Sequence, residues 1–153
     1  MKIEWQCGVA VAALLLASAH ATADEPIQLD PFAQATGGDA SCVAPKPPIL
    51  TADEARSIAH ARAERGTRCG MDGTCEPGGA YHRDPEVNAQ VRDAIAGDKR
   101  FANASIWLTT TRKWVTLEGC VRSTAQRRAV VAFVKKQPNV ERVFDELKVS
   151  RGK

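Results

Sequence analysis

The stretch VTLEGCVRSTAQRRAVVAFVKKQPNVERVFDELKV, Val115 to Val149, changes its hydrophobic period twice. Val115, Leu117 and Val121 fall on alternating positions, the pattern of a half-buried strand. From Ser123 the apolar residues recur at helical spacing as Ala129, Val130, Phe133 and Val134, with Ser123 and Gln126 forming a capping box at the start. Pro138 stops that helix, and Val143, Leu147 and Val149 give a last strand. A helix between two strands allows them to pair in parallel.

Upstream, SIWLTTTRKWVTLEGCV reads as two alternating strands around a tight turn at Arg112-Lys113. A two-residue loop sets Leu108 opposite Leu117 and Ile106 opposite Gly119, so that both strands offer their apolar residues to one layer. Before them, Asp84 can cap a helix with Pro85 at its first position. Val87, Val91, Ala94 and Ile95 form its stripe, and Gly97 closes it. The order is helix, strand, strand, helix, strand in roughly seventy residues, a size at which one two-layer core is feasible but marginal. The expected fold class is α+β: two helices on one face of a small three-stranded mixed sheet, preceded by an extension with one short helix.

These residues resemble the BON domain, named for bacterial osmotic-shock and nodulation proteins. The resemblance runs from about Asp84 to Val149. It is carried by DPEVNAQVRDAI, by VTLEGCVRS with Leu117, Gly119, Val121 and Ser123, by Ala129, and by NVERVFDELKV with Val140, Val143, Asp145, Leu147 and Val149. It implies an αββαβ module, commonly exported, tied to envelope integrity or osmotic stress, and able in several members to contact phospholipid; it implies no catalysis. This chain departs from the pattern with Arg112-Lys113 at the turn, where Asp-Gly or a similar pair is common, and with Cys120 inside the second strand.

The N-terminus reads as an export signal over residues 1–23. Lys2 precedes the short apolar run CGVAVAALLLASA, and AHATA offers cleavage after Ala21 or Ala23, the latter preferred. That run is shorter than the ~20 residues that span a bilayer, so no transmembrane helix is expected in the mature chain. Cys7 lies too early for a lipid-modified cysteine. The expected destination is the periplasm, with secretion beyond it left open.

Residues 24–83 form a cysteine-containing extension, and 84–153 the BON-like domain. DEPIQLDPFAQATGGDASCVAPKPP, residues 24–48, has no sustained period and reads as an extended linker. Thr51 and Glu54 form a capping box and Gly66 is placed to end a helix over residues 51–65, whose one large apolar residue is Ile58. The following RCGMDGTCEPGGAYHR is a glycine-rich loop.

Removal of the signal leaves Cys42, Cys69, Cys75 and Cys120, an even number in an oxidising compartment, for which disulfides are the default. Four cysteines permit three pairings. Cys120 points away from the core by alternation, which suggests a bond to Cys42 that fastens the extension over the sheet and leaves Cys69 and Cys75 to close their short loop. A zinc site using these cysteines and His82 matches no standard spacing, so neither metal nor cofactor is expected.

Two surfaces are candidates for function. Alternation puts Trp107, Trp114, Thr116, Glu118 and Cys120 on the face away from the helices. The extension can cover that face, with Ile49, Leu50 and Ile58 on the indoles, or the face can serve as a partner or membrane surface. On the second helix Arg127, Arg128, Val131 and Lys135 fall on one side. That basic stripe is either an ordinary solvated face or, as the resemblance implies, a contact for anionic head groups. From Asp84 onward fourteen Lys and Arg face eight Asp and Glu; residues 24–83 carry six against nine.

No constellation suggests an active site, since His60 lies on the short helix and His82 in a loop without a placed acid or nucleophile. The expected function is a non-enzymatic exported envelope accessory that associates with anionic phospholipid or an envelope component, with peripheral membrane contact. The alternative is a protein-interaction adaptor in a secretion or envelope assembly. Export argues against a nucleic-acid partner.

Overall fold

A computed structural model describes residues 25–150. The expected export segment, with Lys2, Cys7, Ala21 and Ala23, lies outside the described residues, as do residues 151–153. The elements in order are β1 (Ile27–Gln28), β2 (Phe32–Gly37), β3 (Ile49–Leu50), α1 (Ala52–Met71), α2 (Asp84–Gly97), β4 (Ser105–Thr111), β5 (Trp114–Val121), α3 (Thr124–Val134) and β6 (Arg142–Val149).

The main sheet has the order β2-β4-β5-β6. Leu108 pairs with Leu117 and Ile106 with Gly119, as the alternation of the hairpin requires. The crossover through α3 returns β6 parallel to β5, with Leu117 beside Asp145 and Gly119 beside Leu147. Both α2 and α3 pack on one face, where Val91, Ile95, Leu117, Val121, Val130 and Val134 are fully buried. Burying each such side chain contributes about 1.5–3 kcal/mol, opposed by chain entropy of similar total size. Phe101, on a short 3-10 turn after α2, is also fully buried, with its ring centroid 5.5 Å from that of Phe133.

The sheet has four strands rather than three. Residues 32–37, expected to be part of a linker, form β2 and pair antiparallel with the outer side of β4, with a bulge between Gln34 and Thr36. The apolar side of this strand is Ala33 and Ala35, which pack against the core. Side chains that small give almost no periodic signal; the strand forms because β4 offers an unpaired edge and the helices offer a layer to lean on.

Helix α1 also runs further than expected, to Met71 rather than residue 65. Its capping box is formed: Thr51 N donates to Glu54 Oε2 at 2.8 Å and Glu54 N to Thr51 Oγ1 at 3.2 Å. Gly66 does not end it. A Cβ on Gly79 would lie 2.9 Å from Gly66 O, so the returning loop lies directly on the helix there. A glycine inside a helix costs about 1 kcal/mol relative to Ala, which close contact of this kind offsets.

Asp84 is the first residue of α2 rather than its cap, and its side chain is used elsewhere. The capping box of α3 is half kept. Gln126 N donates to Ser123 Oγ at 3.1 Å, but Gln126 Oε1 accepts from Arg122 N, at 2.8 Å, instead of Ser123 N.

Candidate functional site

The register arranges the face turned away from the helices. Trp107, Thr109 and Thr111 of β4 stand beside Glu118, Thr116 and Trp114 of β5. Arg142, Phe144, Glu146 and Lys148 continue these rows on β6. The two ends of the face are treated differently.

One end is strapped. After β2 the chain crosses the sheet, and residues 43–46 face Glu118, Cys120, Glu146 and Lys148 across a groove. The sulfurs of Cys42 and Cys120 lie at disulfide distance, their Cα atoms 5.7 Å apart, and those of Cys69 and Cys75 do likewise. Asp39 anchors the root of the strap at 4 % exposure. Its carboxylate accepts from Ser41 Oγ at 2.6 Å and Ser150 Oγ at 2.8 Å, and Ser105 Oγ bridges its backbone N–H and C=O at 2.9 Å each. The hydrogen bonds from Ser41 and then Ser150 hold this carboxyl below the usual carboxylate range. Under the strap, burial and then the neighbouring Glu146 push the Glu118 carboxyl up.

Trp107 is buried at this end, with 8 % exposure. It lies over Gly119, where a Cβ would come within 3.0 Å of the indole and 2.2 Å of Ser105 O. Gly119, at φ 112°, is therefore fixed by the close approach of β4. Of Ile49, Leu50 and Ile58, offered as one possible cover for the indoles, Ile49 and Ile58 remain 50 % and 37 % exposed. Ile49 and Leu50 pair instead with Gln28 and Ile27 in a separate two-stranded ribbon.

The other end is open. Trp114 is half-buried, with Arg112 4.6 Å and Arg142 5.1 Å from its ring centroid. The Phe144 ring stands edge-on to the indole at 6.0 Å and is 40 % exposed. Arg112 and Lys113, at φ 57° and 62°, form the hairpin turn in a conformation that asparagine and glycine adopt more readily. Asp84 makes this possible. Buried to 2 % exposure, its carboxylate accepts from Arg112 N and Lys113 N at 2.7 Å each. Burial outweighs these bonds and pushes its carboxyl up.

On α3 the four residues of the expected stripe part company. Arg127 turns to the sheet edge, donating through Nε to both carboxylate oxygens of Asp145 at 3.0 and 2.9 Å and through Nη2 to Asp145 O at 3.3 Å. Leu147 N donates to the same carboxylate at 3.2 Å. The bond from Ser150 N to Val121 O sets the phase of the ladder, so the groups that Arg127 and Asp145 occupy are those that face away from β5. The two side chains close the middle of the open β6 edge, a common protection against strand addition. Val131 packs against the core, while Arg128 and Lys135 remain exposed.

A family model matches residues 83–151, which take in α2, β4, β5, α3 and β6. The matching model is that of the BON domain. No curated protein matches the chain. The BON family is not a family of enzymes; its members occur in envelope and osmotic-stress proteins, often in the periplasm, and some bind phospholipid. Among the described residues no helix is long and apolar enough to cross a membrane.

The strand β2 lies outside the matched residues and widens the sheet of the matched segment by one strand. The parts of the site that sequence reasoning missed are Asp84 as the clamp of the turn and the gathering of Arg112, Arg142 and Phe144 around Trp114. For Asp84 a partial signal was available: Arg-Lys adopts positive φ less readily than Asn-Gly, so a turn built from it needs support from elsewhere. The second could be found only with the register of β6 against β5, since Arg142 and Trp114 are 28 positions apart and meet as Cα partners.

Proposed function

We propose that this protein is a non-enzymatic accessory of the bacterial envelope, exported to the periplasm, where it associates with anionic phospholipid in support of envelope integrity or resistance to osmotic stress. The observation that carries this reading is the BON match over residues 83–151. The charge distribution supports it: net +6 from Asp84 onward against net −3 over residues 24–83. In this reading residues 1–23 are an export signal, 24–83 a stapled extension and 84–153 the working module. Two cysteine pairs at disulfide distance suit an oxidising compartment.

Arg128 and Lys135 on α3 supply exposed positive charge to such a surface, where each Lys or Arg contributes about 1 kcal/mol at low screening. Arg127 is engaged by Asp145 and contributes less. The rival reading, a protein-docking adaptor, would draw on the open β6 edge, but Arg127 and Asp145 occupy its centre. Flotation with phosphatidylglycerol-containing vesicles at two salt concentrations tests the proposal, with binding expected to fall as salt rises. Absence of flotation at the lower salt, together with a stable complex with an envelope protein on size exclusion, would favour the adaptor.

A further inference from the structure

We infer that the open end of the outer sheet face, built by Arg112, Trp114, Arg142 and Phe144, is the surface that seats an anionic phospholipid head group. The inference rests on the lipid reading above and names the surface that would carry it.

Four features of the cluster support it. First, Arg112 and Arg142 flank the same indole, 4.6 and 5.1 Å from its centroid, and Arg142 also lies 6.0 Å from the Phe144 ring. A guanidinium held over an aromatic ring by cation–π attraction keeps N–H groups to donate, which suits phosphate oxygens. Second, among the described residues neither arginine has an ion pair, and Arg112 Nε is buried without a hydrogen-bond partner. Third, the acids nearby are already engaged. Lys113 Nζ lies 3.7 Å from Glu76 and 3.6 Å from Glu141, Arg83 also holds Glu76, and Asp84 holds the turn. The cluster therefore carries uncompensated positive charge.

Fourth, the charge sits beside exposed apolar surface. Phe144 is 40 % exposed, and its ring and the indole form one edge of the sheet face. Arginine beside tryptophan and phenylalanine is the combination that settles at a membrane interface, where the rings enter the acyl boundary and the cations remain among the phosphates. The exposed part of α3 offers Arg128 and Lys135 but no exposed ring, and Val131 beside them is partly buried against the core. The sheet cluster supplies both contributions from a site held in place by the Asp84 clamp.

The test uses protein purified after export and vesicles of phosphatidylglycerol mixed with phosphatidylcholine, against phosphatidylcholine alone. Arg112→Gln with Arg142→Gln should weaken binding to the anionic vesicles by roughly thirtyfold, the effect of two charges at an anionic surface. Arg142→Gln alone, at an exposed strand position where folding is not at issue, should weaken it by roughly fivefold. In a Trp107→Phe background, the emission of Trp114 should shift to the blue on adding anionic vesicles, and Phe144→Ser should diminish that shift. Arg128→Gln with Lys135→Gln should have the smaller effect on binding. The inference is overturned, with the lipid reading intact, if the α3 pair abolishes binding while Arg142→Gln and Trp114 emission show nothing. If the unaltered protein ignores anionic vesicles, or binds soluble polyglutamate in their place, both fall.

Discussion

The two faces of the sheet are held by different means. The inner face is closed by α2 and α3, which come from the same continuous stretch as three of the strands, and it is sealed mainly by apolar contact. The outer face is closed at one end by a strap from the other half of the chain, fixed by a cysteine pair 78 positions apart and by a buried aspartate, and is left open at the other end. Local periodicity suffices to build a helix-covered core. Covering the second face takes specific bonds, because a strap with little apolar surface has no other way to stay down.

The largest expected difference is between removing a core side chain and removing a fastening. Leu117→Ala, on the inner face, should lower the stability to denaturant by about 2–5 kcal/mol. Cys42→Ser with Cys120→Ser should cost about 2–4 kcal/mol and increase quenching of Trp107, while the helices keep their circular dichroism. Equal loss of structure in both variants would show that strap and core fold as one inseparable unit.

Asp84→Ala should cost about 1–3 kcal/mol, because two turn N–H groups lose their acceptor. The same substitution with Arg112→Asn and Lys113→Gly should cost less, since that pair adopts the turn unaided. Arg127→Ala should change stability by only about 0.2–1 kcal/mol, yet raise self-association measured by sedimentation as the β6 edge opens.

The smallest effects should appear in the pH dependence, where the two buried aspartates act with opposite sign. Asp39 titrates below the usual range when folded, so its stabilising contribution is complete above the unfolded value and is lost as pH falls through the folded one. Asp84 titrates above its usual value, so it favours folding most below the unfolded value and the benefit is lost as pH rises through the folded one. Asp39→Asn should therefore flatten the acid side of a stability profile and Asp84→Asn the side toward neutral pH. Identical profiles for the two variants would contradict the opposite environments.

The amino-acid order by itself determined the αββαβ module, the register that sets Leu108 against Leu117, and the inward stripes of both helices. Each follows from a short-range rule: alternation, helical period, or the parity of side chains across a strand. Only the tertiary structure decided that residues 32–37 form a fourth strand, that α1 runs on past Gly66, that Arg127 serves a strand edge, and that Arg112 and Arg142 share one indole. These depend on which unpaired edge, carboxylate or ring lies nearby once the core has closed, and that proximity is created by packing between segments distant in sequence.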